Sequence, residues 1–108
     1  MTPYLQVATT VENRTQAEVM ARHVLDRRLA GCVQIMQCTS MYHWQGRVEQ
    51  GDEYLCSMKT REDLFEVLQA EITKVHPYDV PEILATPVTD GNSDYLSWLA
   101  GELVSVQK

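Results

Sequence analysis

The segment from Cys32 to Trp44 reads as one unusually long strand, and its length restricts what the chain can fold into. Gln45-Gly46 opens a turn region that the sequence carries to Gly51-Asp52. Glu53 to Lys59 is the returning strand, with Tyr54, Cys56 and Met58 on one face. From Val33 to Trp44 such a strand reaches roughly 40 Å at about 3.3 Å per residue. A domain of this size has a radius of gyration near 13 Å, so the hairpin should overhang its own core. The overhang exposes Met41, Tyr42 and Trp44 beside an unpaired edge, which is an aggregation hazard unless another chain covers it. Pairing with further copies of the same chain is the natural cover, so these three residues are candidates for an oligomer interface.

The rest of the chain supplies the elements that this hairpin packs against. Tyr4 to Thr10 is a short apolar and β-branched strand. Thr15-Gln16-Ala17-Glu18 fits a capping box, and Ala17, Met20, Ala21, Val24, Leu25 and Leu29 follow at helical spacing. Gly31 suits a left-handed helix cap. Thr60 is a predicted N-cap for a second helix with the stripe Leu64, Phe65, Leu68, Ile72 and Val75, and Pro77 stops that helix at His76. Ile83 to Val88 is the last strand, at a sheet edge because Pro87 cannot donate to a ladder. Tyr95, Leu96, Trp98, Leu99 and Leu103 mark a short closing helix. The order strand, helix, strand, strand, helix, strand, helix is α+β, the split βαβ pattern of a ferredoxin-like sandwich with a C-terminal helix. One domain spans residues 1–108, a length that builds a single core.

Charge and cysteine usage remove several function classes. The net charge is −6, and the excess lies wholly in residues 61–108, which hold three basic and nine acidic side chains. No basic stripe is present, which argues against nucleic acid as a partner. No apolar run approaches membrane-spanning length and no signal-like segment opens the chain. Cys32, Cys38 and Cys56 are odd in number and form no C-x-x-C pair, which suits a reducing, cytoplasmic location. A targeting segment already removed would leave no trace here.

No glycine-rich phosphate loop, H-E-x-x-H, G-x-S-x-G or paired zinc-ligand spacing occurs, so an enzyme is not expected. The best candidate site is His76-Pro77-Tyr78-Asp79-Val80-Pro81-Glu82, where two prolines stiffen a loop carrying an imidazole, a phenol and two carboxylates. His76 is the one strong metal donor in it, whereas a divalent ion normally takes three or four. Spacing therefore favours a structural corner, with Glu82 accepting from backbone or from Lys59. Tyr42-His43-Trp44 reads as buried interface rather than a binding wall. His23 lies off the apolar stripe and reads as a surface residue. The cysteines and Met20, Met36, Met41 and Met58 are soft donors for Cu(I), but their positions suit packing, with Cys32 buried behind the helix cap.

Several of these segments together resemble one family. Ser40-Met41-Tyr42-His43-Trp44-Gln45-Gly46, Glu53, Lys59-Thr60, His76-Pro77-Tyr78-x-x-Pro81-Glu82 and Asp94-Tyr95-Leu96-x-Trp98 are similar to the CutA divalent-cation tolerance proteins, as is Leu29-Ala30-Gly31-Cys32-Val33. The resemblance covers essentially the whole chain. It implies a cytoplasmic homotrimer, related in architecture to the PII signalling proteins, that serves tolerance and response to metal ions, copper above all, without an established reaction. It also implies copper ligation by a cysteine at the end of the first strand and by histidines before the Pro-Tyr pair. Of these only His76 is present; Ala8 and Val75 stand where other members carry the cysteine and a second histidine. The resemblance thus leaves weak binding of Cu²⁺ or another divalent metal, with His76 as the ligand. A second reading is a PII-like module that takes a small ligand between subunits, with Lys59, Glu53, Tyr78 and Glu82 as polar groups of the cleft. A third is a purely structural trimeric scaffold.

Overall fold

The computed structural model describes residues 2–105. In chain order the elements are β1 (Tyr4–Val11), α1 (Arg14–Asp26), β2 (Cys32–Trp44), β3 (Arg47–Arg61), a 3-10 turn (Glu62–Leu64), α2 (Phe65–Val75), β4 (Leu84–Pro87) and α3 (Ser93–Glu102). The strands form one antiparallel sheet in the order β2-β3-β1-β4. Strand alternation then sorts the side chains. Val7, Thr9 and Val11 of β1 and Cys56, Met58 and Thr60 of β3 turn to one face and are fully buried. Ala17, Met20 and Val24 of α1 and Leu68 and Ile72 of α2 close over them. Each buried aliphatic side chain contributes about 1.5–3 kcal/mol, so this face holds the fold together. A second tie joins the helices: the His23 ring contacts a Glu71 carboxylate oxygen at 3.0 Å, and Lys74 and Arg27 reach the same carboxylate. His23 is therefore not the solvated surface residue that its place off the stripe suggests.

Three local expectations change, each for an identifiable reason. Helix α1 starts two residues earlier than a Thr15 cap requires. Asn13 is the N-cap and accepts from the Gln16 amide at 2.9 Å, while Gln16 Oε1 accepts from the Glu12 amide at 2.9 Å. This resembles a capping box shifted by two residues, with the return bond at the amide before the N-cap, and asparagine caps as well as threonine or better. The left-handed residue after α1 is Arg28 (φ 56°), not Gly31. Amides of Arg28 and Leu29 bond back to the carbonyls of Leu25 and Val24, a Schellman motif, and Arg28 Nη1 donates to the Glu102 carbonyl at 3.1 Å. Gly31 serves packing instead: a Cβ there would meet Leu99 Cδ1 at 2.5 Å. Thr60 caps no helix. It pairs with Leu5 inside β3, is fully buried, and its hydroxyl donates to the Leu29 carbonyl at 2.7 Å.

The hairpin is longer and its turn shorter than read from the sequence. Gln45 (φ 49°) and Gly46 (φ 79°) are both left-handed, which makes a two-residue turn whose twist matches the flanking strands. Pairing resumes at once with Trp44 opposite Arg47, so Arg47 to Asp52 is ladder and Gly51 sits opposite Ser40. With the Cα radius of gyration at 14.6 Å and the long dimension at 44 Å, the hairpin projects as its length predicts. Among the described residues strand β2 has no partner on its outer side, and Met41, Tyr42 and Trp44 are 67%, 48% and 59% exposed. Strand β4 is the other edge, as Pro87 requires, and is confined to Leu84–Pro87.

The Thr60 hydroxyl ties β3 to the segment entering β2. Replacing it by an isosteric methyl removes a buried donor, so Thr60→Val should lower unfolding stability by about 1–3 kcal/mol. Thr60→Ser should retain most of it in denaturant unfolding; a loss in Thr60→Ser with none in Thr60→Val would show that the methyl group, not the bond, matters.

Candidate functional site

The end of α2 and the far half of the hairpin meet at the loop 76–82. Helix α2 stops at Val75, and His76 is extended (φ −75°, ψ 134°), as a residue before proline should be. That geometry turns the imidazole back onto β1. Its Nδ1 accepts the Tyr78 amide at 3.1 Å, and its Nε2 lies 2.9 Å from the hydroxyl of buried Thr9. Because Nδ1 accepts, the proton of the neutral ring sits on Nε2 and is donated to Thr9. Burial lowers the pKa of His76, so the ring is held neutral.

Pinning His76 places Tyr78. Its ring centroid lies 5.0 Å from that of the imidazole, and its hydroxyl donates to Glu53 Oε2 at 2.7 Å. Burial first, and the neighbouring Glu53 carboxylate second, push the Tyr78 phenol well above its usual range, so it remains a donor. The loop and the hairpin thus enclose an open cleft of about 710 Å³. Tyr42 and Trp44 of β2 form an aromatic side, and Glu12, Asp52, Glu53, Asp79 and Glu82 surround it with carboxylates. Among the described residues no lysine or arginine lines it.

Of the residues singled out from the sequence, Tyr42, Trp44, Glu53, Tyr78 and Glu82 come together here. Lys59 does not. It lies six residues along β3 from Glu53 and donates to Gln34 Oε1 at 2.6 Å. Met41 alternates to the opposite face of β2 from Tyr42. Glu82 forms neither a hydrogen bond nor an ion pair with the other described residues, so the corner is held by His76, Tyr78 and Glu53 and not by a Glu82–Lys59 bond. Sequence reasoning missed Thr9, Glu12 and Asp52. Thr9 is an ordinary strand residue by pattern, and only the β1–α2 packing shows that it receives the imidazole.

A resident metal does not fit the residues present. Among the described residues no three of His, Cys, Asp and Glu converge as ligands. Both His76 nitrogens are already engaged, and the ring lies outside the cleft lining. The cysteines are no better placed: Cys56 is in the core with its thiol pushed up to about 11 by burial. Cys32 is half-buried, not buried, at the start of β2 beside the Tyr95 side chain of α3.

A half-buried histidine with a lowered pKa makes stability depend on pH in a fixed direction. The unfolded chain takes up the His76 proton below about pH 6.5, whereas the folded chain resists it to a lower pH. Its contribution is complete above the unfolded value and declines as pH falls toward the folded one. Thermal unfolding at about pH 7.5 and about pH 5 should therefore show a smaller acid-side drop for His76→Gln than for the parent chain. Identical drops would remove His76 from the pH response.

Comparison with known proteins agrees with this architecture. Residues 5–102 match the model of the CutA1 divalent ion tolerance protein family. The divalent-cation tolerance protein CutA of Pyrococcus horikoshii is 41% identical over 96 residues, covering 89% of this chain and 94% of that protein. The chloroplastic CutA of Arabidopsis thaliana is 40% identical over 98 residues, which is 90% of this chain but 54% of that protein, so the chain spans about half of its length. The crystal structure of CutA1 from Oryza sativa superposes with a TM-score of 0.94 at 36% identity, covering 97% of each chain. On a family match that includes both the sheet and the loop 76–82, the chain belongs to the CutA1 divalent ion tolerance family.

Proposed function

We propose that this chain acts in divalent-cation tolerance and the response to metal ions as a cytoplasmic homotrimer of ferredoxin-like subunits, by assembly and binding and not by catalysis. The antiparallel order β2-β3-β1-β4 supports the ferredoxin-like reading. The observation that carries the trimer is the uncovered hairpin: an unpaired β2 edge, a projecting tip, and Met36 and Trp44 at 48% and 59% exposure. Leaving this much apolar surface beside a free strand edge is costly in solution, and cyclic pairing removes both at once. Its partners are therefore further copies of itself, and a divalent ion or small ligand, with no nucleic acid or membrane. No helix among the described residues is long and apolar enough to cross a membrane.

Copper, the metal that the family resemblance brings, reaches His76 only by displacing its bond to Thr9 or to Tyr78. Loss of a hydrogen bond at a part-buried site opposes ligation, so binding of Cu²⁺ is weak. Sedimentation equilibrium at micromolar concentration should return three chain masses; a monomer would sink the assembly. Calorimetric titration with Cu²⁺ should show a weak heat that His76→Ala abolishes, and equal heats from both proteins would take His76 out of any metal role.

A further inference from the structure

The face of the sheet opposite the core carries two charge deficits of opposite sign that cannot meet within one chain. Among the described residues, Arg14, Arg27, Arg28, Arg47, Arg61 and Lys74 each lie against a carboxylate of their own chain. The exceptions are Arg22, which is solvent-exposed on α1, and Lys59. Lys59 is half-buried on the open sheet face, and Gln34 is its one hydrogen-bond partner there. At the other end of the same face Glu53 and Glu82 form no ion pair with the described residues. Glu53 is half-buried and held in place by the Tyr78 hydroxyl. Six residues of strand separate Lys59 from Glu53, roughly 20 Å at about 3.3 Å per residue, which no lysine spans.

Covering this face with a second copy changes the electrostatics of both ends. An ammonium removed from water with an amide as its sole partner is strongly disfavoured, and so is a crowded set of carboxylates with no cation. Opposite charges brought together across the junction relieve both, and they also set the register of the docked copies. We infer that Lys59 of a neighbouring copy completes the cleft, placing its ammonium between Glu53 and Glu82. The cleft is thus built from two chains, with the aromatic and acidic sides from one and the cation from the next. This rests on the trimeric reading above and deepens it, by giving the interface a specific ion pair and the cleft a residue that its own chain lacks.

Charge exchange tests it. Lys59→Glu and Glu82→Lys should each weaken assembly by about tenfold or more in a sedimentation dilution series, and the double variant should recover most of the loss. Glu82 makes no bond within its own described chain, so its replacement leaves the fold intact, and circular dichroism checks this for all three. A second measurement avoids mutation. Subunits labelled with heavy nitrogen are mixed with unlabelled ones, dissociated and reassembled, and then treated with a zero-length carbodiimide. A Lys59 peptide joined to a Glu82 or Glu53 peptide of the other isotope supports the pairing. A trimer in which the single variants assemble as the parent does, or which yields no mixed-isotope link, overturns the inference while leaving the trimer standing. A parent chain that sediments as a monomer overturns the trimeric reading itself.

Discussion

The ladder between β2 and β3 is the constraint on which the rest of the molecule depends. Its 13 residues of β2 pair without interruption from Cys32 opposite Lys59 to Trp44 opposite Arg47. A strand has a period of two, so this single register decides which side chains enter the core and which face outward. Slipping it by one residue would send Met58 and Cys56 outward and draw Lys59 and Glu53 inward. The two-residue left-handed turn at Gln45-Gly46 is what locks that register at one end, and the packing of α1 and α2 locks it at the other.

The same register explains why the cleft exists. Because the hairpin outruns the core, its far half has no helix over it, and the loop after α2 is the nearest chain able to close one side. The loop is held through side chains more than through ladder bonds: His76 to Thr9, the Tyr78 amide to His76, and the Tyr78 hydroxyl to Glu53. Together these couple β1, α2 and β3 at one point. His76 in this setting is a structural donor and acceptor, and its neutrality follows from what it touches. The cleft beside it is acidic because the residue after β1, strand β3 and the loop 76–82 each contribute carboxylates, and no described lysine or arginine lines it.

Much of the fold was legible from spacing alone. The apolar stripes of α1 and α2 were plain because helical periodicity reports a buried face directly. Pro77 and Pro87 marked a helix end and a sheet edge because each lacks an amide donor and restricts its neighbour. Local choices between near-equal alternatives were not legible. Asn13 and Thr15 are both competent caps, and packing selects between them. Gly31 could serve a left-handed turn or a close approach, and the side chain of Leu99 shows that it serves the second. The extent of β3 was hidden because Gly51-Asp52 imitates a turn, whereas the turn at Gln45-Gly46 had already set the pairing.

What the sequence determined by itself was the set of elements, their order, the over-long hairpin and the residues that gather at the loop 76–82, since these follow from periodicity and from backbone restrictions that act locally. Tertiary structure alone decided what those residues do. Thr9 is separated from His76 by 67 residues, Glu53 from Tyr78 by 25, and such pairings depend on strand order and register instead of local propensity. It also decided that Lys59 stands apart from the carboxylates that it would otherwise join. Strand alternation puts them on one face, and the rise along β3 keeps them at opposite ends of it.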